Sequence, residues 1–374
     1  MARTTRRGCT RRSALQGLTS FALAAPAVTT RLRPAGAASD LQSAPPLRSN
    51  ARLSGIKYGC AGAAPDVQPD HVLLEKFAVE ANIFVPEGAL KWNVTEPQPG
   101  KFDFTDGDSI AAFAARHDML IHGHTLVWYA AIPQWVSGLA SAVDARAALE
   151  RHIITQVQHY RGKIWAWDVV NEAIEPNDDL NNGYRNSIWF RLLGINYVDL
   201  AFRLARAADP ATPLSLNEYG IEYTTAECQR KREATLGLLQ RLRDLKTPID
   251  CFGLQSHLEA DKTFDRAGLT DFLQSVVKLG YRLMITELDV NDVKVPGTVA
   301  ERDAAVARHA GEYLDIVYSV ARPSSIATWG LCDRYTWMHL YYKRADGSPL
   351  RPLPLDVNYQ RKPLWATLSD HLAA

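Results

Sequence analysis

Trp165-Ala166-Trp167-Asp168-Val169-Val170-Asn171-Glu172 reads as a hydrophobic strand that finishes on an Asn-Glu pair. A second run of the same kind, Leu283-Met284-Ile285-Thr286-Glu287-Leu288-Asp289, delivers another carboxylate much later in the chain. Apolar runs without strict alternation belong to strands buried on both faces, as in a parallel sheet covered by helices. Two glutamates at the ends of two such strands are also what cleavage of a glycosidic bond requires. One must donate a proton to the leaving oxygen, and the other must attack the sugar carbon or activate water.

Working outward from these two runs, the chain alternates short apolar strands with longer helical patterns from Leu53 onward. Strands are predicted at 56–61, 83–86, 120–125, 164–171, 213–217, 251–256, 282–288 and 326–330. Helical spacing of apolar residues starts at Asp70 and covers 144–160, 225–245 and 300–320, the 225–245 stretch opening with Thr and Glu. Eight strand–helix units within 53–374 match the count and size of a single (β/α)8 TIM barrel, class α/β. A doubly wound open sheet is the runner-up, but no glycine-rich phosphate loop follows the first strand. Catalytic groups of a barrel sit at the C-terminal ends of its strands, and both glutamates fall there.

The 374 residues are nearly half apolar, with nine tryptophans and a formal charge of +1. That balance argues against a nucleic-acid partner, and no basic stripe suggests one. The most basic stretch, Met1 to Arg12, precedes an uncharged run rich in Ala and Leu from Ser13 to Thr30. Thr10-Arg11-Arg12-Ser13-Ala14-Leu15 looks like a twin-arginine export signal, with Ala35-Gly36-Ala37 as a small-x-small cleavage site. The apolar run falls far short of a membrane span of ~20 strongly apolar residues. The expected organisation is an export signal over 1–37, a Ser/Pro/Ala linker over 38–52, and the barrel over 53–374. The product is then a periplasmic or secreted monomer with no membrane association after signal removal. Five cysteines fit no metal spacing; Cys9 leaves with the signal, and Cys60, Cys228, Cys251 and Cys332 read as free buried thiols.

With these motifs in order, the chain resembles glycoside hydrolase family 10, the retaining endo-β-1,4-xylanases, from about Leu53 to Leu372. Trp167-Asp168-Val169-Val170-Asn171-Glu172 matches the family's acid/base motif and Thr286-Glu287-Leu288-Asp289 its nucleophile motif. The resemblance implies Glu172 as acid/base and Glu287 as nucleophile, with their carboxyl groups ~5–5.5 Å apart for a retaining mechanism. It also implies that Asn171 bonds the 2-hydroxyl of the sugar being cleaved. Strand alternation points neighbours to opposite faces, so Asn171 and Glu172 reach one ligand only if the strand ends or bulges there. His257, in Gln255-Ser256-His257-Leu258, matches the family histidine that contacts the nucleophile, with Asp289 as its carboxylate partner.

Further motifs imply the sugar contacts. Glu87, Lys91 and Trp92 match the second strand, with Glu87 and Lys91 as hydrogen-bond partners. His124 and Trp128, followed by Pro133 and Trp135, match the third strand and its subsite −1. Asn217-Glu218-Tyr219 resembles the fifth-strand Asn-Asp-Tyr, with Tyr219 stacking in subsite +1, and Trp329 and Trp337 resemble the tryptophans that cover the −1 sugar. No cofactor or metal is implied, and the partner is a polysaccharide, xylan or a related β-glycan.

The match breaks at Gly88, Tyr129-Ala130-Ala131, Gly220 and Met338, where the family usually has Asn, His-Ser-Gln, Asn and Arg. The Asn and Gln missing at Gly88 and Ala131 serve subsite −2. Two lost polar contacts of roughly 0.5–1.5 kcal/mol each weaken xylose binding there about tenfold or more, or mark a subsite rebuilt for another β-glycan. Two rival readings come from other classes. His122-Gly123-His124 resembles a His-x-His metal pair, but no lysine and aspartate set accompanies it. A non-catalytic sugar-binding barrel typically loses one of the two carboxylates, and this chain keeps both.

Overall fold

A computed structural model of the chain describes residues 38–178 and 180–374. The export signal expected over 1–37 lies outside the described residues. Eight parallel strands close into a barrel with helices between them. They are β1 (Lys57–Gly62), β2 (Ile83–Pro86), β3 (Leu120–Val127), β4 (Ala166–Asn171), β5 (Leu214–Glu218), β6 (Cys251–Leu254), β8 (Arg282–Asn291) and β9 (Ser325–Thr328). Each pairs with the next, β6 pairs directly with β8, and β9 returns to β1. A three-residue strand, β7 (His257–Glu259), pairs only with the end of β8. The eight predicted strands thus lie within a few residues of the observed ones, and the α/β barrel class holds.

β7 was not anticipated as a separate element. Ser256 adopts a left-handed backbone, φ 63°, which breaks the run after β6 and lets the chain restart over β8. β8 in turn runs three residues beyond Leu288, because His257, Leu258 and Glu259 pair with Asp289, Val290 and Asn291.

The helices follow from their caps. Asp70 accepts from the Leu73 amide to start His71–Glu80, and Ser141 caps Ala142–His159 through Asp144. Thr225 caps Ala226–Asp244, and Thr298 with Glu301 forms a reciprocal capping box on Val299–Val320. Their apolar faces and the outer faces of the strands make one continuous core. A smaller cluster of Ala61, Ile83, Val85 and Ala327 packs against Trp329 and Trp337, so strand packing also sets the position of these two rings.

The stretch 38–52 is not the linker that its composition suggested. It contains the helix Ala38–Ser43 and most of the helix Leu47–Ser54, whose Leu47 and Ala51 are fully buried. The Leu47 amide bonds the Glu80 carboxylate at 3.0 Å, which also binds Arg361 and Trp365. Small and polar residues hid two apolar positions four apart. The four cysteines among the described residues are free and buried. No described helix is long and apolar enough to cross a membrane.

Candidate active site

Parallel registers bring the functional side chains to one mouth of the barrel. His124 stands beside Asp168, Asn171 beside Asn217, Asn217 beside Gly253, and His257 beside Asp289. Asn171, Asn217 and Asp289 lie toward the C-terminal ends of their strands, where βα loops leave room for a ligand, and His257 opens β7 beside Asp289.

The Asn171–Glu172 problem is solved by the backbone. β4 ends at Asn171, and Glu172 turns left-handed at φ 59°, which rotates its side chain out of strand alternation. Its amide still bonds the Asn217 carbonyl at 2.9 Å. Both side chains then meet: Asn171 Nδ2 donates to Glu172 Oε1 at 3.1 Å, and Gln255 Nε2 donates to the same oxygen at 3.1 Å. Asn171 Oδ1 accepts from Asn217 Nδ2 at 2.9 Å and from Gln255 Nε2 at 3.1 Å.

Glu287 sits across this amide cluster. Its Oε1 accepts from Asn217 Nδ2 at 2.7 Å and its Oε2 from His257 Nε2 at 3.2 Å. Thr286 Oγ1 donates to Asn217 Oδ1 at 2.7 Å, which fixes which end of that amide faces the carboxylate. Glu172 and Glu287 are only 8% and 4% exposed, so each carboxyl is oriented by protein donors rather than by water. Burial pushes Glu287 up, but the hydrogen bond from His257 and the charges of His124 and His257 outweigh it, and its pKa lies below the usual value. Burial opposes charge on His257, yet Asp289 and Glu287 hold its pKa well above the ordinary imidazole value. The ring lies between two carboxyls, with Nδ1 2.8 Å from Asp289 Oδ1 and Nε2 3.2 Å from Glu287 Oε2, an arrangement that favours its charged form. Trp337 Nε1 donates to the other Asp289 oxygen at 2.8 Å, tying this ring to the Glu287 side.

The remaining predicted contacts form an aromatic wall. The Trp329 ring lies 5.2 Å from His124 and 6.3 Å from His257, edge to face in both cases. Lys91 Nζ lies 4.8 Å above the Trp128 ring and 5.8 Å from Trp329. Burial lowers the Lys91 pKa against the pull of Glu287, Glu87 and Glu172. Glu87 is raised by burial, with Lys91 and His124 opposing. Tyr219 stands apart from the amide cluster and donates its hydroxyl proton to Glu175 at 2.9 Å. The His122–His124 pair does not point to one shared ligand. His122 Nε2 and His124 Nδ1 each lie 3.0 Å from a different oxygen of Asp168. No group of three potential metal ligands occurs among the described residues.

Three participants escaped the sequence reading. Gln255 and Asp168 lie inside quoted motifs, and their strand-end position was a usable signal. Arg185 carried none: it sits in an irregular loop, yet it contacts Glu172 and Tyr219. Among the departures, a Cβ placed at Gly88 meets nothing within 4 Å, and Ala131 has φ 49°. Met338 is buried, and Tyr129 lies over Arg185 instead.

The family model described as glycosyl hydrolase family 10 matches residues 46–371. The chain belongs to this family. Among relatives, it is 35% identical to endo-1,4-beta-xylanase 1 of Humicola insolens over 77% of this chain and 65% of that protein. Endo-1,4-beta-xylanase A of Phanerodontia chrysosporium is also 35% identical, over 75% and 65%. The match thus spans just under two thirds of the length of these two family members. It spans nearly all of two solved ones. Native xylanase 10B from Thermotoga maritima superposes with a TM-score of 0.79 at 30% identity, covering 87% of this chain and 98% of that one. Xylanase 10B from Thermotoga petrophila RKU-1, solved in complex with xylobiose, gives 0.79 at 29% identity over 87% and 97%.

Proposed function

We propose that this protein is an exported, retaining endo-β-1,4-xylanase. The observation that carries the reading is the pair of buried carboxyls, Glu172 and Glu287, held by the shared amides of Asn171 and Asn217, with Glu287 also facing His257 Nε2 at 3.2 Å. In the first step a Glu287 oxygen attacks the anomeric carbon while the glycosidic bond breaks and Glu172 gives its proton to the leaving oxygen. In the second, Glu172 takes a proton from water, the water oxygen bonds the same carbon, and the ester to Glu287 breaks. Two inversions leave the β configuration unchanged. Asn171 reads the 2-hydroxyl, while Trp329 and Trp337 offer faces to the apolar side of the −1 sugar, with Glu87, Lys91, His124 and Trp128 around it. Tyr219 takes the leaving sugar at +1.

The names of the matched relatives support β-1,4-xylan as the polymer, as does the xylobiose held by the Thermotoga petrophila enzyme. A second reading keeps the mechanism and changes the glycan. It is favoured by the open space at Gly88, which leaves room for a substituent or a bulkier sugar two places to the glycone side. The export assignment rests on the twin-arginine-like segment at Arg11-Arg12 and the small residues at 35–37.

Glu287→Ala tests the mechanism. Turnover of xylan should vanish, and azide should restore product of inverted anomeric configuration. Full activity of that variant overturns the nucleophile assignment. Product profiles on xylan, arabinoxylan, mixed-linkage glucan and cellulose decide the polymer. Faster cleavage of a glucan than of any xylan sinks the xylanase reading.

A further inference from the structure

Glu172 is the one residue of the carboxyl pair whose backbone is left-handed, a conformation that persists in a residue other than glycine only where its surroundings hold it. Its amide is held by the Asn217 carbonyl at 2.9 Å. Its carbonyl is held by Arg185, whose Nε donates at 2.7 Å. Arg185 is itself fixed on every side. Its own amide bonds the Ala173 carbonyl at 2.8 Å, and Nη2 donates to the Tyr219 hydroxyl at 2.9 Å. Nη2 also lies 3.4 Å from Glu175 and 3.8 Å from the Glu172 carboxyl, and the guanidinium sits 4.0 Å over the Tyr129 ring. The residue is 8% exposed. A planar fork is needed here, since one group must reach a backbone carbonyl and a phenol hydroxyl at once.

We propose that Arg185 is a positioning residue for general acid/base catalysis: it locks the left-handed turn that aims the Glu172 carboxyl at the leaving oxygen. The Tyr219 hydroxyl and the Tyr129 ring hold Arg185 in turn, so the residues of the +1 side and the acid/base form one mechanical unit. The inference rests on the acid/base role proposed above for Glu172. Arg185 also pairs with the Glu172 carboxyl at 3.8 Å, so it lends that group charge as well as geometry.

A misplacement of about 1 Å at a reacting group costs on the order of 10²-fold in rate. Loss of Arg185 should therefore slow the glycosylation step only for substrates whose leaving group needs a proton, while slowing base-assisted deglycosylation for all. The test compares kcat/KM, which reports the glycosylation step, for xylan and for 2,4-dinitrophenyl β-xylobioside, whose leaving group departs unprotonated. For Arg185→Met in the full chain the expected loss is on the order of 10²-fold on xylan and within a few-fold on the activated substrate. Added azide should raise kcat on the activated substrate by bypassing the base. Arg185→Lys keeps a cation but not the fork, should give an intermediate loss of the same selectivity, and carries the test if Arg185→Met does not fold. Equal losses on both substrates, or no loss on either, overturn the proposal. Glu172→Gln is measured beside them. If it discriminates between the substrates and the Arg185 variants do not, the positioning role fails alone; if Glu172→Gln does not discriminate, the acid/base reading fails.

Discussion

Protonation at Glu287 sets the low-pH edge of the proposed reaction. Burial alone raises a carboxyl above the usual ~4.3 of glutamate, because the charged form loses hydration. Here His257 reverses the sign, and the Glu287 pKa lies below its ordinary value. The acid limb of kcat/KM should accordingly lie below that of an exposed glutamate. His257→Ala removes both the hydrogen bond and the positive charge, leaving burial to dominate, so the limb should move to higher pH with a large fall in rate near pH 5. An unshifted limb in a pH–rate profile refutes this role. The linkage signs differ for the two partners. Glu287, depressed, stabilises the fold above its unfolded pKa and loses this as pH falls through the folded value. His257, raised, stabilises below about 6.5 and loses this as pH rises through its folded value. Gln255 gives a second prediction at this scale. Gln255→Ala leaves the Glu172 and Asn171 oxygens short of a donor, and kcat should fall about 10-fold or more with little change in KM. A change confined to KM counts against it.

Within the strands, register does most of the positioning, and a single glycine shows how closely. Gly253 on β6 faces Asn217 on β5, and a Cβ placed there lies 2.3 Å from Asn217 Oδ1 and 3.1 Å from the Ser215 hydroxyl. That amide holds both Glu287 and Asn171. Gly253→Ala should therefore cost about 1–3 kcal/mol of stability and depress kcat as well, measured by denaturant unfolding and by turnover. Unaltered turnover separates Asn217 from the carboxyl geometry. Element identity was largely legible, since strands buried on both faces read as uninterrupted apolar runs and helices announce their caps. β7 was not, because three residues carry no periodicity and its partner lies 32 positions away at Asp289. The helix Leu47–Ser54 was hidden for a related reason: its buried face consists of Leu47 and Ala51 alone.

Over the described residues, Glu80 joins the helix Leu47–Ser54 to the C-terminal segment that carries Arg361 and Trp365. Glu80 accepts from the Leu47 amide and from Trp365 Nε1, each at 3.0 Å, and pairs with Arg361 at 2.7 Å. Removing one partner of such a buried pair costs about 3 kcal/mol. Glu80→Ala should lower thermal stability by that order while leaving kcat at 25 °C unchanged, as it lies outside the proposed site. A chain shortened to begin after Ser54 should lose stability in the same way, whereas one beginning at Ala38 should not. Equal melting temperatures for the two shortened chains contradict this.

The barrel, the strand ends that carry Glu172 and Glu287, and the identity of most of their neighbours follow from sequence alone, because hydrophobic period and local motif are properties of adjacent residues. The left-handed turn at Glu172, the amide relay through Asn217, the seat of His257 between two carboxyls and the clamp of Arg185 were decided only by tertiary structure. Each depends on distances between segments far apart in the chain, and on the low dielectric that burial creates around them.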